Sequence, residues 1–175
     1  MNKKSTIIFL IGFMGSGKTT FGKMLAEALN LKFLDMDSAI EVTTGKSIAT
    51  LFNELGEEGF RQIERDVLHD LSKHDHCLIS TGGGAPCFFD NMDFMKTAGE
   101  TVYLKGSAKV LIQNLHGATD GRPLLKGKTE GEMEDFINQM LEKREPFYLK
   151  ADHVLDIEGI TADNLLSRFL SLKES

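Results

Sequence analysis

Residues 7–20 read Ile-Ile-Phe-Leu-Ile-Gly-Phe-Met-Gly-Ser-Gly-Lys-Thr-Thr, and they carry the clearest structural pattern in the chain. Its first five residues are all apolar and several are β-branched, which is typical of a strand buried on both faces. Residues 12–19 then fit the phosphate-loop pattern G-x-x-x-x-G-K-[ST] at every fixed position. Apolar residues recur at helical spacing over residues 21–29, so a helix follows the loop. The order strand, glycine-rich loop and helix predicts a site for nucleotide phosphates.

The residue types of this phosphate loop (residues 12–20) suit the chemistry of phosphate binding. Glycines let backbone N–H groups approach phosphate oxygens without a Cβ in the way, and the helix N-terminus adds the positive end of its dipole. Lys18 is placed to reach the β- and γ-phosphates, and the Thr19 hydroxyl is placed to ligate Mg²⁺. The alternative is a glycine-rich turn that matches the pattern by chance, which the strand on one side and the helix on the other disfavour.

Length and composition indicate one globular domain, residues 1–175. A chain of 175 residues is long enough for a substantial core, and 41% hydrophobic and 26% charged residues are usual values for a soluble protein. The net charge of −6 argues against a protein that binds nucleic acid through a general basic surface. Cys77 and Cys87 lack the spacing of a metal site and indicate free thiols in a reducing compartment.

The sequence also predicts a cytoplasmic protein without a membrane partner. Lys3 and Lys4 precede an apolar run, as in a signal peptide, but that run ends in the phosphate loop and offers no small-residue cleavage site. No segment approaches the roughly 20 apolar residues that a membrane-spanning helix needs. No coherent interface pattern stands out either, which favours a monomer.

Short apolar runs alternate with helical patterns along the rest of the chain. Further strands are predicted at residues 31–34, 77–80, 101–104 and 154–157. This alternation is typical of a parallel sheet covered by helices on both faces, so we expect an α/β protein with three α-β-α layers and about five strands. Ligands of such sheets bind at the carboxyl ends of the strands, so the residues that follow each strand are the candidates for a site.

Asp35 and Asp37 follow the second predicted strand. Alternation of side chains along the strand places both carboxylates on the same side of the ligand edge. One of them can hold Mg²⁺ through water, while the other orients or deprotonates a substrate hydroxyl. Alternatively, Asp37 only caps the helix that comes next, which is a common role for aspartate.

Two helices are predicted after this point, with Ser47 as a cap, Gly56 as a stop and the second helix beginning after it. Arg61 and Glu64 lie three residues apart on the second helix. Their spacing alone favours a surface ion pair over a role in a site.

The third predicted strand ends in three consecutive glycines, residues 82–84. Close approach of the backbone to a ligand is one reason for such a run, and a plain tight turn is the other. Residues 115–128 are rich in glycine and charge, which is typical of a lid that closes over phosphates. Arg122 is the cation of this segment, and its alternative role is that of an ordinary solvated arginine. Arg144, near the end of a long helix, either neutralises the helix C-terminus or binds an anion.

Together these motifs resemble the shikimate kinase family along nearly the whole chain. The matching pieces are the phosphate loop, Asp35-Met-Asp37, Ser47-Ile48, Gly56-Glu-Glu-Gly-Phe60-Arg61 with Glu64, Gly82-Gly83-Gly84, Arg122-Pro-Leu-Leu125, and Arg144 with Tyr148. The phosphate loop alone is shared by many families, whereas the ordered set with this spacing is far more specific. The resemblance implies a P-loop kinase fold and ATP-dependent phosphorylation of the 3-hydroxyl of shikimate, on the route to chorismate and the aromatic amino acids.

The resemblance also implies a role for each site residue. The ATP phosphates are held by Gly15, Ser16, Gly17, Lys18, Thr19 and Thr20, with Arg122 from the lid. Shikimate is held by Asp37 and Arg61 of a substrate-binding segment at about residues 35–64, and by Gly83 and Arg144 outside it. The two arginines bind its carboxylate. Mg²⁺ is served by Thr19 and Asp35, and the catalytic residues are Asp37, Lys18 and Arg122.

The chain departs from the family pattern on the adenine side. Family members usually carry an arginine shortly before the lid arginine, packed against adenine, but here the sequence is Asn-Leu-His-Gly at residues 114–117. His116 is a candidate to stack on the base instead. Two rival functions remain at this stage: another small P-loop kinase, such as a gluconate or nucleoside monophosphate kinase, and a nucleotide-binding module without catalysis.

Overall fold

The structure, a computed structural model, describes residues 6–116 and 127–175. Its strands form one sheet and are β1 Ile7–Ile11, β2 Lys32–Asp35, β3 Cys77–Ser80, β4 Glu100–Lys105 and β5 His153–Asp156. They lie in the order β2-β3-β1-β4-β5, and every neighbouring pair is parallel. The predicted α/β fold with a parallel sheet of five strands is confirmed.

Helices flank this sheet and alternate with its strands. In the described part of the chain they are α1 Lys18–Ala28, α2 Met36–Thr44, α3 Ile48–Leu71, α4 Asn91–Ala98, α5 Ala108–His116, α6 Glu130–Tyr148 and α7 Ala162–Glu174, with a short 3₁₀ helix at Ala85–Cys87. The predicted strands differ from the observed ones by at most one residue at each end. None of the helices described is long and apolar enough to cross a membrane.

β1 is the centre of the core. It pairs with β3 on one side and β4 on the other, and all of its residues are buried. A strand covered on both faces and paired along both edges has no side that meets water, which explains its continuous apolar sequence.

The register of the sheet brings three functional segments to one level. Ser80 of β3 pairs with Leu10 of β1 on one side and with Asp35 of β2 on the other. The phosphate loop, the start of α2 and the glycine run at residues 82–84 therefore all leave the sheet together. The carboxyl edge of β1, β2 and β3 is where a site can form.

Between β2 and β3 the chain forms a helical segment with its own small core. Four of its residues are buried together: Ile40, Leu51, Phe60 and Val67. Ser47 caps α3 by accepting a hydrogen bond from the Thr50 backbone N–H, as its position predicts. The φ of 69° and ψ of −178° at Gly56 break α3 where the sequence predicts a helix stop. The assignment of residues 1–175 to one domain, with a substrate-binding segment at 35–64, stays a prediction.

Candidate active site

A cleft of about 760 Å³ lies at the carboxyl edge of the sheet. It is lined along one side by the phosphate loop, and Asp35, Asp37 and Gly83 line it where β2 and β3 end. Residues of α5, among them Gln113 and Asn114, line it farther along. One cleft thus brings the predicted phosphate site next to Asp37 and Gly83 of the predicted substrate site, whereas Arg61 and Arg144 are not among the residues that line it.

The backbone of the phosphate loop needs glycine at two points for independent reasons. Gly12 and Gly15 both have positive φ values, 151° and 82°, which side chains with a Cβ rarely adopt. A Cβ would also lie 2.9 Å from the Leu104 carbonyl oxygen at Gly12 and 2.7 Å from that of Leu111 at Gly15. The loop is therefore packed closely against β4 and α5.

Lys18 lies across this loop. Its Nζ donates hydrogen bonds to the carbonyl oxygens of Gly12, at 2.7 Å, and Phe13, at 3.1 Å. Ser16 closes a turn by donating its backbone N–H to Phe13, while its buried hydroxyl has no hydrogen-bond partner among the described residues. The cationic Nζ and a polar hydroxyl without a partner are features of a surface that receives anionic oxygens.

The two aspartates after β2 have different structural roles. Asp35 is the N-cap of α2, and its carboxylate accepts a hydrogen bond of 2.8 Å from the Ser38 backbone N–H. Asp37 lies in the first turn of α2 and lines the cleft. The alternative that Asp37 only caps this helix is wrong, because the helix begins earlier and Asp35 is its cap. The oxygen ligands that Asp35 and Thr19 offer to the cleft are the kind that Mg²⁺ prefers.

Arg61 and Glu64 form an ion pair, as their spacing favours, but the pair is buried rather than on the surface. Arg61 Nη1 donates to Glu64 Oε1 at 2.8 Å, and Arg61 Nη2 lies 3.4 Å from Glu57 Oε1. The Nε of Arg61 is buried and has no hydrogen-bond partner among the described residues. The surface alternative is wrong because this face of α3 packs against the loop at residues 82–84, which covers both side chains.

Burial controls the ionisation of Glu64. The loss of hydration raises the pKa of this carboxyl, and the positive charge of Arg61 only partly opposes that effect. The negative charge of Asp37 raises the pKa further, while Arg144 acts in the opposite direction. Burial therefore makes the charged form of the Glu64 carboxyl less favourable beside Arg61 than it is in water.

The glycines at residues 82–84 allow these charged groups to converge. A Cβ would lie 2.8 Å from Glu64 Oε2 at Gly82 and 2.6 Å from Arg61 Nη2 at Gly84. At Gly83 the nearest side-chain atom is Arg144 Nη1, at 3.5 Å. The glycine run is thus explained by close approach of side chains to the backbone and is more than a plain turn.

Arg144 reaches this site from α6. Its side chain lies beside Gly83, and its guanidinium carbon is 5.4 Å from the centre of the Phe13 ring in the phosphate loop. Tyr148, one turn later, donates a hydrogen bond from its hydroxyl to the Gly83 carbonyl oxygen. α6 begins with the predicted capping box of Thr129 and ends at Tyr148. The side chain of Arg144 thus extends to the loop after β3, where the anion-binding alternative requires it.

Three predicted features fall partly or wholly outside this geometry. Arg122 and most of the lid predicted at residues 115–128 lie outside the residues that the structure describes. His116 ends α5 and is exposed, and it is not among the residues that line the cleft. Its stacking on a base stays a prediction.

Sequence reasoning missed two contacts of the site. The Asn114 side chain donates a hydrogen bond of 2.7 Å to the Gly15 carbonyl oxygen, across 99 positions of sequence. The Phe88 ring lies over Arg61, with 4.1 Å between the ring centre and the guanidinium carbon. No local pattern marks either residue, because each contact joins segments that are far apart in the chain.

Known proteins are similar to this chain over nearly all of its length. The family model described as Shikimate kinase matches residues 14–173. A shikimate kinase of Parabacteroides distasonis is 49% identical over 157 residues, which are 90% of this chain and 91% of that protein. One of Bacteroides thetaiotaomicron is 49% identical over 153 residues, or 87% of each chain.

Solved structures agree in fold. A crystal structure of shikimate kinase from Bacteroides thetaiotaomicron has a TM-score of 0.93 and 44% identity, covering 98% of this chain and 100% of that one. A structure of shikimate kinase from Acinetobacter baumannii in complex with shikimate has a TM-score of 0.88 and 35% identity, covering 98% and 94%.

Proposed function

The chain belongs to the shikimate kinase family, and we propose on that premise that it transfers the γ-phosphoryl group of ATP to the 3-hydroxyl of shikimate. The products are shikimate 3-phosphate and ADP, on the route to chorismate and the aromatic amino acids. The observation that carries the proposal is one cleft that joins the phosphate loop to Asp37 and Gly83, beside the buried guanidinium of Arg61. A monomeric, cytoplasmic enzyme without nucleic-acid or membrane partners is part of the same proposal.

The nucleotide side of the proposal uses the phosphate loop. Residues 15–20 offer backbone N–H groups to the ATP phosphates. The ammonium group of Lys18 exchanges its hydrogen bonds to the Gly12 and Phe13 carbonyl oxygens for contacts with phosphate oxygens. Thr19 and Asp35 are the residues that would hold Mg²⁺, which would neutralise negative charge on the phosphates. Arg122 is proposed to add a further positive charge from the lid.

The acceptor side uses the charged groups around the glycine run. Arg61 and Arg144 come from α3 and α6 and approach the loop from two directions, so they can bind the carboxylate of shikimate between them. The Nε–H of Arg61 has no partner in the part of the chain that the structure describes, so it can donate to that carboxylate. Gly83 lines the cleft and brings backbone close to the substrate without a side chain between them.

Positioning is the main task of the protein in this reaction. The oxygen of the 3-hydroxyl forms a bond to the γ-phosphorus while the bond from that phosphorus to the β–γ bridging oxygen breaks, and ADP leaves. Asp37 accepts or orients the hydroxyl proton from its place in the cleft. Because the transition state is loose in most descriptions, aligning the hydroxyl contributes more than basicity does. Lys18 stabilises negative charge on the transferring group.

The test is release of ADP from ATP and Mg²⁺ with shikimate, gluconate, AMP or no acceptor in parallel reactions. We expect release with shikimate alone. Release of ADP with gluconate or AMP would support the proposed phosphate site but would reject shikimate as the acceptor. Binding of ATP without release in any reaction would identify a nucleotide-binding module instead.

A matched pair of substitutions separates the two aspartates. Asp37→Asn removes the proposed proton acceptor but keeps an oxygen that can orient the hydroxyl, so we expect kcat to fall by about 10²-fold, the lower end for a general base, with the fold unchanged. Asp35→Asn keeps the helix cap, because asparagine caps as well as aspartate does. Asp35→Asn removes only the negative charge, so we expect half-maximal activity to need a higher Mg²⁺ concentration, while the midpoint of unfolding stays unchanged. A wild-type kcat for Asp37→Asn would exclude Asp37 from the reaction.

A further inference from the structure

Two arginines of α3 each contact a phenylalanine of the loop that follows the glycine run. Arg61 faces inward, and its guanidinium carbon lies 4.1 Å from the centre of the Phe88 ring. Arg65, one helical turn later, faces outward and lies 5.1 Å from the Phe89 ring. We call Arg61 with Phe88 the inner pair and Arg65 with Phe89 the outer pair. Phe89 is 52% exposed, so the outer pair lies on the surface.

The loop that carries Phe88 is tied to the glycine run. Within it, Cys87 donates its backbone N–H to the Gly84 carbonyl at 3.0 Å, which closes the 3₁₀ helix at Ala85–Cys87. Asn91 is fully buried and donates its side-chain N–H to the Ala85 carbonyl at 2.9 Å. Phe88 therefore has a fixed position relative to the backbone that the substrate is proposed to approach.

The backbone after Phe88 is held in an unfavourable conformation. Phe89 has a φ of +51°, in the left-handed region, and for a residue with a Cβ this costs about 1–2 kcal/mol. The turn lets extended Phe88 point inward and lets α4 begin only two residues after Phe89. A strained residue that aims its neighbour at a buried arginine is a reason to look for function at that neighbour.

The guanidinium of Arg61 is confined by aromatic rings as well as by Glu64. The rings of Phe60 and Phe52 lie 5.3 and 5.7 Å from the guanidinium carbon, so Phe88 is the closest of the three. A ring over the flat face of a guanidinium attracts its charge and restricts its rotation, but takes none of its N–H donors. The Nε–H donor, which has no hydrogen-bond partner among the described residues, therefore stays available to a carboxylate.

We propose that Phe88 is a positioning residue for the substrate carboxylate, which it serves by fixing the plane and rotamer of the Arg61 guanidinium. The inference rests on the proposed function and deepens it, because it assigns part of the recognition of the acid group to a residue that does not touch it. An arginine that is ordered before binding loses less side-chain entropy when the anion arrives.

The experiment compares Phe88→Leu with Phe89→Leu. Leucine keeps an apolar side chain but removes the ring, so we expect Phe88→Leu to raise the KM for shikimate by roughly 3- to 30-fold. The KM for ATP and kcat should stay within about twofold of wild type, since the phosphate loop is untouched. Phe88→Tyr keeps the ring and should restore the KM. Phe89→Leu alters the outer pair and should leave all three constants unchanged.

A neutral analogue separates positioning from general packing. We expect wild type and Phe88→Leu to bind the primary amide of shikimate with equal, weak affinity in calorimetric titration, because the amide has no charge for Arg61 to meet. An equal loss for the amide and the acid, or a rise in KM for ATP as large as that for shikimate, would overturn the proposal. Should Phe88→Leu not fold, Phe88→Met provides the same comparison.

The outcomes distinguish this inference from the proposed function. Absence of shikimate-dependent ADP release in wild type would reject both. Release by wild type together with an unchanged shikimate KM in Phe88→Leu would reject the inference alone.

Discussion

Arg61 and Arg65 lie one turn apart on α3 and make the same two kinds of contact, yet in very different surroundings. Arg61 pairs with Glu64 at 2.8 Å, and these side chains are 8% and 2% exposed. Arg65 pairs with Asp90 at 3.0 Å, and these are 33% and 61% exposed. Each guanidinium also contacts a phenylalanine ring. The two ion-pair distances are alike, so the main difference between the two ion pairs is their exposure to water.

That difference decides what each ion pair does. An exposed pair contributes about 0–1 kcal/mol to stability, because water and salt screen it. In a buried pair, the attraction between the charges often offsets only part of the free-energy cost of removing them from water. Well-packed apolar residues can therefore often replace such a pair without loss of stability. The Arg61–Glu64 pair is therefore poorly explained by stability. A requirement for a dehydrated guanidinium beside the cleft explains it better.

The largest effect should come from removing the two arginines in turn. Arg61→Ala leaves Glu64 buried without its partner, and we expect a loss of about 3–5 kcal/mol in the free energy of unfolding. Arg65→Ala should cost under about 1 kcal/mol. Urea denaturation measures both. Equal losses would mean that burial does not separate the two pairs.

A double substitution separates stability from recognition at the same place. Arg61→Met with Glu64→Leu replaces both charges by apolar side chains, and we expect most of the stability to return. The KM for shikimate should stay high, because the carboxylate has lost a bidentate partner. A variant that is stable and also binds shikimate normally would remove Arg61 from the acceptor site.

A smaller effect is expected from crowding the inner guanidinium. The Cβ of Gly84→Ala would lie 2.6 Å from Arg61 Nη2, so the guanidinium must shift. Gly84 has an ordinary φ of −87°, and the cost is therefore steric, about 1–3 kcal/mol. We also expect a higher KM for shikimate. Gly83→Ala has 3.5 Å to its nearest neighbour and is the stability control, with a loss below that of Gly84→Ala.

The sequence predicts best what depends on neighbouring residues. The phosphate loop is contiguous, and its glycines and Lys18 have fixed places relative to one strand and one helix. The strands follow from short apolar runs, and parallel order then brings their carboxyl ends to one edge. These features need no knowledge of distant contacts.

Other features depend on packing that the sequence does not display. A spacing of three residues suits an exposed pair as well as a buried one, so Arg61 and Glu64 look like surface residues until the glycine loop covers them. Likewise, a shift of two residues in the helix start decides whether Asp35 or Asp37 is the cap. The contact of Phe88 with Arg61 requires the path of the loop after β3.

The smallest expected effect is the response of the Arg61–Glu64 ion pair to pH. Because burial raises the pKa of Glu64 above its ordinary value of 4.5, the folded protein binds this proton more tightly than the unfolded chain does. The stabilisation that protonation of this group provides is complete below 4.5 and is lost as pH rises through the folded pKa. Glu64→Gln lacks it.

We therefore expect the free energy of unfolding of wild type, minus that of Glu64→Gln, to fall as pH rises from below 4.5 to neutrality. Urea denaturation at a series of pH values measures this difference, with Asp90→Asn as the matched neutralisation in the outer ion pair. A difference that rises with pH would mean that Arg61 stabilises the Glu64 carboxylate more than burial destabilises it. In that case stability alone would explain the Arg61–Glu64 ion pair, and its contrast with the Arg65–Asp90 ion pair would no longer point to the substrate.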